Sequence, residues 1–211
     1  IGLPYFDPIF QPNCRVHLGV PAESSNDARR RVGQYLNGIF HPLRLDDIGS
    51  RLKFYGVSAG SEFQVGPYMV RTMRLIHPGG TVGYRATHGK RSVCYLTDTG
   101  PLAQHGQGLM AGKAPTQMEE DLLGLVHDAD VMIMDTTFDQ DEYHLKQSWG
   151  HAYPEYVVRL AQEAKVKRVL LFHHSPDATD DMLDAVGERW ASHREPTVLL
   201  AKEGMVLDLE G

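Results

Sequence analysis

Apolar residues along this chain keep a helical period at first, then alternate, then switch between the two rhythms. Arg15 to Val20 reads as a short strand, and Ser25 to Ile39 as an amphipathic helix with Ala28, Val32, Tyr35, Leu36 and Ile39 near one face. Ser24 or Ser25 is its cap and Pro42 is expected to stop it. From Leu52 to Asp98 the period drops to two. Strands are predicted at Leu52 to Val57, Glu62 to Val65, Met69 to Ile76, Thr81 to Ala86 and Ser92 to Thr97, divided by Ser-Ala-Gly, Pro-Gly-Gly and His88-Gly-Lys turns. Such spacing suits antiparallel meanders. Gly100 to Ala114, rich in Gly, Gln and Pro, reads as a loop, and a helix is predicted from about Thr116 to Val126 on Met118, Leu122, Leu123 and Val126.

A strict alternation of strand and helix follows. Val131 to Met134 is a strand, Tyr153 to Ala164 a helix, Val166 to His173 a strand, and Thr179 to Trp190 a helix whose Asp180 and Asp181 suit its positive N-terminal end. The last segment is expected to form a hairpin, Thr197 to Ala201 and Met205 to Leu209, around Lys202-Glu-Gly204. Clustered strands followed by alternating strands and helices imply an α/β fold, with sheets covered by helices in layers. In such folds functional side chains gather at strand ends.

The 211 residues are 42% hydrophobic with no break in composition, so a single domain spanning 1–211 is expected. No apolar run approaches the roughly 18 residues that cross a bilayer, so no membrane partner is expected. A net charge of −6 without a dense Lys/Arg run argues against an extended nucleic-acid surface and leaves room for a small anionic substrate. Cys14 and Cys94 lie far apart, and both are read as buried free thiols that suit a reducing cytoplasm. The opening Ile1-Gly-Leu-Pro-Tyr-Phe6 lacks an initiator Met and a signal-peptide layout, so the numbering is expected to start inside a longer polypeptide.

Three runs place a His or Asp where a hydrophobic stretch ends: His77 before Pro78-Gly-Gly80, Asp98 in Thr97-Asp-Thr99, and His173 after Val169-Leu-Leu-Phe172. Strand ends hold side chains rigidly, and N and O donors suit a hydrolytic divalent ion. Each residue also has a plainer reading: His77 as a turn histidine, Asp98 as an Asx-turn carboxylate, and one of His173 and His174 as structural, since neighbours in an extended chain face opposite ways. His151, ahead of a helix starting near Pro154, and Asp135, ending the strand Val131-Met-Ile-Met134, carry the same ambiguity. His151 reads equally as a neutral structural side chain near a helix N-terminus, and Asp135 as a cap or turn carboxylate.

Taken together, His77-x5-Gly83-Tyr84-Arg85, Thr97-Asp98-Thr99, Asp135-Thr-Thr-Phe138, Gly150-His151 leading into a helix, and Leu171-Phe-His173-His-Ser175 resemble the metallo-β-lactamase-fold hydrolases. Within that superfamily the resemblance is to the phosphodiesterase branch of tRNase Z and the cyclic-phosphate phosphodiesterases. The blocks cover most of the chain in the family's order. The resemblance implies a four-layer αβ/βα sandwich, with His77 and His173 each completing the shell of one metal ion and Asp98 bridging two. It also implies that Asp135, standing where relatives often carry Glu, orients His151 to protonate a leaving alkoxide. The family's His-x-His-x-Asp-His block normally precedes a run like Ile1-Gly-Leu-Pro-Tyr-Phe6, so its four ligands and the first strands are expected to be missing from these residues.

The function so implied is hydrolysis of a small phosphodiester, such as a cyclic nucleotide or cyclic phosphate, with two divalent ions, zinc or manganese. A thioesterase or lactonase on the same fold, and a non-catalytic binding module or inactive fragment, are the alternatives. Only twenty residues separate His77 from Asp98, which leaves no room for the tRNA-binding arm that some relatives carry there. A homodimer is expected from the prevalence of two-fold pairing and from the apolar face that absent strands would leave uncovered.

Overall fold

The computed structural model describes residues 2–103 and 106–209. Gln104 and His105, within the predicted loop Gly100 to Ala114, lie outside the described residues, as do Ile1, Glu210 and Gly211. The chain divides into two compact units, Ile1–Ala59 and Gly60–Gly211.

The first unit is built on a strand–helix–strand crossover. β1 (Arg15–Pro21) and β2 (Arg51–Val57) pair in parallel from Arg15↔Arg51 to Pro21↔Val57, and α1 (Ser25–Tyr35) lies between them in sequence. The antiparallel meander expected from Leu52 onward therefore begins only after β2. A chain that leaves one strand through a helix re-enters parallel to it. Ala22, Ala28 and Phe54 form a small core with Leu18, Val20, Val32, Leu45 and Leu52 around it. Ser24 Oγ accepts the Asp27 amide at 3.1 Å, which fixes the start of α1. The helix ends at Tyr35, well before Pro42. Asn37 sets that end: its Oδ1 takes the amides of Ile39 (2.8 Å) and Phe40 (3.0 Å), bonds that a continuing helix could not make.

The second unit carries a seven-stranded sheet in sequential order. β3 (Glu62–Val65), β4 (Tyr68–Leu75), β5 (Thr81–His88) and β6 (Arg91–Leu96) are antiparallel. β7 (Val131–Asp135), β8 (Arg168–Phe172) and β9 (Thr197–Leu200) then continue parallel to β6. The parallel half is joined through α2 (Gln117–Val126), α3 (Gln140–Leu145), α4 (Pro154–Glu163) and α5 (Asp180–Trp190).

Register explains the core. Cys94, Met132, Val169 and Val198 are successive cross-strand partners, and so are Leu96, Met134, Leu171 and Leu200. The period of two puts both rows on one face. Leu122, Leu125 and Val126 of α2 and Tyr156, Val157, Leu160 and Ala161 of α4 join them in a single buried cluster. A capping box starts α2: Thr116 Oγ1 accepts the Glu119 amide (3.3 Å) and Glu119 Oε2 accepts the Thr116 amide (2.9 Å).

Two expectations change here. Six-residue α3, capped by Asp139 Oδ1 on the Glu142 amide at 2.7 Å, is too short to declare a period in the sequence. The predicted closing hairpin does not form, since β9 pairs with β8 and residues 205–209 carry no ladder among the described residues. Val206 is 89% exposed, so pairing this segment buries little apolar surface.

Candidate metal centre

β4, β6, β7 and β8 point the same way, so their C-terminal ends share one edge of the sheet. Polar side chains there project beyond the ladder, as at the ligand-binding edge of open α/β sheets. His77 lies two residues beyond β4, Asp98 two beyond β6, Asp135 ends β7, and His173 directly follows β8. His151 reaches the same edge from the turn between the short 3-10 helix Gln147–Trp149 and α4.

Asp98 and His173 both take left-handed backbone angles, φ +53° and +59°. Side chains with a Cβ pay about 1 kcal/mol or more for that region, and such strain collects at functional sites. The angles end the extended run, so the alternation expected to separate His173 from His174 stops at Phe172. His173 Nε2 instead lies 2.9 Å from Asp98 Oδ1, while His174 Nε2 turns to the Ala201 carbonyl at 3.2 Å. Thr81 Oγ1 donates to the Asp98 carbonyl (2.8 Å) and Thr137 Oγ1 lies 2.7 Å from the His173 carbonyl, pinning both backbones.

Asp135 is fully buried and crowded with donors. Its Oδ2 accepts from His151 Nδ1 (2.6 Å) and the Thr99 amide (3.3 Å). Its Oδ1 accepts from the amides of Thr137 (3.1 Å) and Ala152 (3.4 Å), and Thr137 Oγ1 lies 2.9 Å away. An ionised carboxylate has about four acceptor sites, so this one is saturated. A carboxylate accepts only, hence His151 Nδ1 carries the shared proton and Nε2 is the nitrogen left for other partners. The imidazole is wedged between rings: stacked on His173 at 5.1 Å, edge-on to His77 at 5.1 Å and to Phe138 at 5.7 Å.

His77 is fixed the same way from a different acceptor. Its Nδ1 lies 3.1 Å from the Gly150 carbonyl, which leaves Nε2 with the lone pair. A carbonyl that accepts from one ring nitrogen and so selects the tautomer is the usual support of a metal-binding histidine. The approach requires glycine: Gly150 has φ +81°, and a Cβ there would fall 2.8 Å from His77 Nδ1 and from Pro78 Cδ.

Donor atoms of Asp98, Asp135, His151 and His173 all lie within 4.8 Å of one another, a nitrogen-and-oxygen set able to hold a metal ion. Metal–ligand bonds of about 2.0–2.2 Å place two ligands of one ion about 3 Å apart, and the Asp98–His173 contact already has that spacing. Other groups nearby are poor candidates for acid–base or nucleophilic work. Burial, then the charges of Tyr143 and Glu155, push the Tyr153 phenol up to about 12, and burial pushes the Cys94 thiol up to about 12. Both stay protonated near neutral pH.

All five residues singled out in the sequence thus meet at one sheet edge, with His77 beside His151 but outside the four-residue group. The supporting groups were missed: the Gly150 carbonyl, the amides of Thr99 and Ala152, and Thr137. Thr99, Thr137 and Gly150 fall inside the blocks Thr97-Asp98-Thr99, Asp135-Thr-Thr-Phe138 and Gly150-His151, but their supporting roles carry no signal in the sequence.

Comparisons with known proteins agree with this geometry. Ribonuclease Z from Thermoplasma acidophilum is 23% identical over 159 residues, 61% of this chain and 52% of that protein. The metallo-β-lactamase-fold protein YhfI from Bacillus subtilis superposes with a TM-score of 0.59 at 21% identity, covering 92% of this chain and 65% of that one. A diphosphatase of the PhnP family gives a TM-score of 0.64 at 18% identity over 99% of this chain and 66% of that one. The chain spans about half the length of the ribonuclease it matches. These likenesses establish the α/β sandwich of the metallo-β-lactamase superfamily as the fold. The β-lactamase superfamily domain profile matches residues 21–174, most of the chain, and the protein belongs to that family.

Proposed function

We propose that the site serves a dinuclear metal hydrolase that cleaves a small phosphodiester, with His151 as general acid. The observation that carries this is the 2.6 Å bond from His151 Nδ1 to the buried, saturated Asp135 carboxylate. A thioester hydrolase has less need of an oriented acid, because a thiolate departs more readily than an alkoxide. Asp135 fixes the ring and stabilises the imidazolium, so the proton to be given sits on Nε2. Asp98, His173 and His77 are the residues that would hold two divalent ions, zinc or manganese. When bound, the ions supply a water-derived nucleophile at neutral pH and offset charge on the phosphoryl oxygens. The likeness to a ribonuclease Z supports a phosphodiester substrate.

The test compares leaving groups. His151→Ala should slow hydrolysis of a nucleoside 2′,3′-cyclic phosphate, which expels an alkoxide, by about 10²–10⁴-fold. Bis(p-nitrophenyl) phosphate expels a stabilised phenolate and should lose far less. Equal losses on both substrates would remove the acid role, and faster turnover of a thioester than of either diester would overturn the phosphodiesterase reading.

A further inference from the structure

We infer that Trp149 is the platform on which a substrate base stacks, which makes the favoured diester a nucleotide. The inference rests on the phosphodiester reading of the His151 site and extends it to the substrate's other end. Trp149 is 59% exposed although it stands two residues from His151. An indole in water forgoes a large burial energy, and here it is also held in place. Its ring meets buried Phe138 edge-on at 6.3 Å, and Phe138 in turn meets His151 edge-on at 5.7 Å. Lys146 Nζ lies 5.0 Å from the Phe138 centroid and 5.6 Å from that of Trp149, and is itself tied to Glu142 Oε1 at 3.3 Å. The Trp149 amide donates to the Lys146 carbonyl at 2.9 Å, closing the turn beneath the ring.

An ammonium thus occupies one side of the indole, and the exposure belongs to what remains. A rigid aromatic face beside an anion-processing centre matches how single-stranded nucleic acids and nucleotides are held, by stacking without base-edge readout. The same rigidity argues against a general protein-docking patch. Neighbouring Leu145 is 87% exposed but carries no ring on which a base could stack. A base stacked on Trp149 would leave its ribose to span the Phe138 wall and its phosphate to reach Asp98 and His173. Every base has a π-face, so this platform favours nucleotides over base-free diesters without choosing strongly among bases.

The experiment uses the full chain with Trp190→Phe, so that emission reports Trp149 alone. Adenosine 5′-monophosphate should quench that emission saturably, and ribose 5-phosphate should not. With metal-loaded protein, Trp149→Ala should raise KM for a nucleoside 2′,3′-cyclic phosphate about 5- to 100-fold. The value of kcat should stay within about two-fold, and Trp149→Phe should restore most of the loss. Kinetics on the base-free ribose cyclic phosphate should not change. Equal KM shifts on both substrates, or quenching that ignores the base, would overturn the inference while the hydrolase reading stands. Failure to hydrolyse either substrate would sink the hydrolase reading, and the quenching would still decide whether a base stacks.

Discussion

Gly150→Ala is expected to be a damaging one-carbon change at the candidate site. Gly150 lies at φ +81° and ψ +34°, so any Cβ there takes on left-handed strain of about 1 kcal/mol. The added carbon would also fall 2.8 Å from His77 Nδ1 and Pro78 Cδ and 2.9 Å from His77 Cα. Two of those atoms belong to the backbone or to a proline ring, and their segment is tied down by Gly100 N–H to the Ile76 carbonyl and Gly80 N–H to the His77 carbonyl, both 3.0 Å. The wall therefore yields only by distortion, which adds about 1–3 kcal/mol of overpacking. The sum is about 2–4 kcal/mol. Gly112→Ala is the matched control: Gly112 has φ +66° and ψ +23° but no atom within 4 Å of its would-be Cβ, so strain alone, about 1 kcal/mol, is expected. Urea unfolding of the two variants and the parent measures both quantities, with the slope checked for constancy. If Gly150→Ala is no less stable than Gly112→Ala, the Gly150 backbone does not lie against His77 and the tautomer argument for that histidine falls with it.

Asp130 is buried and pairs with Lys167 (2.9 Å), Arg91 (3.2 Å) and the Ser92 amide (2.8 Å). Burial alone would raise its pKa, but these partners outweigh that and hold it below the ordinary carboxylate value. Its contribution is therefore complete above the unfolded value near 4 and fades as pH falls through the lower folded one. Asp130→Asn should lose about 1.5–3 kcal/mol at pH 7, and the gap to wild type, followed by urea unfolding, should narrow below about pH 4. A gap independent of pH would contradict the charge argument. With its thiol pushed up to about 12 by burial, Cys94 should resist Ellman's reagent in the native protein while half-exposed Cys14 reacts, giving one equivalent before unfolding and two after. Two rapid equivalents in native buffer would mean that the α2–β6 packing is open. Leu122→Ala, at a fully buried position, should cost about 2–5 kcal/mol, and Met182→Ala on exposed α5 no more than about 0.5 kcal/mol. Similar losses in thermal melts would misplace the core.

What the sequence disclosed and what it withheld separate along a physical line. Rows such as Cys94–Met132–Val169 follow from a period of two in each strand, which is local information, and so the strands that form were legible to within about two residues, while the closing strand expected at Met205 to Leu209 does not form. Pairing direction is not local: β2 alternates whether its neighbour is β3 or β1, and only the crossover through α1 decides. The end of α1 turned on the Asn37 side chain capturing two amides, a competition that a search for proline overlooks. At the site the same line runs between the groups that do chemistry and the groups that aim them. His77, Asp98, Asp135, His151 and His173 stand out because polar residues at the ends of apolar runs are conspicuous in a string of letters. The aiming depends on backbone atoms contributed from remote positions: the Gly150 carbonyl on His77, and the Thr99 and Ala152 amides on Asp135. Backbone amides and carbonyls occur at nearly every residue, so composition cannot mark them. Strain accompanies the site at Asp98 and His173, which hold left-handed angles, as Asp128 and Lys165 also do in the turns ahead of β7 and β8. Fold stability supplies that energy, and the two residues that hold these angles at the site are the pair whose side chains meet at 2.9 Å, about the spacing of two ligands of one ion.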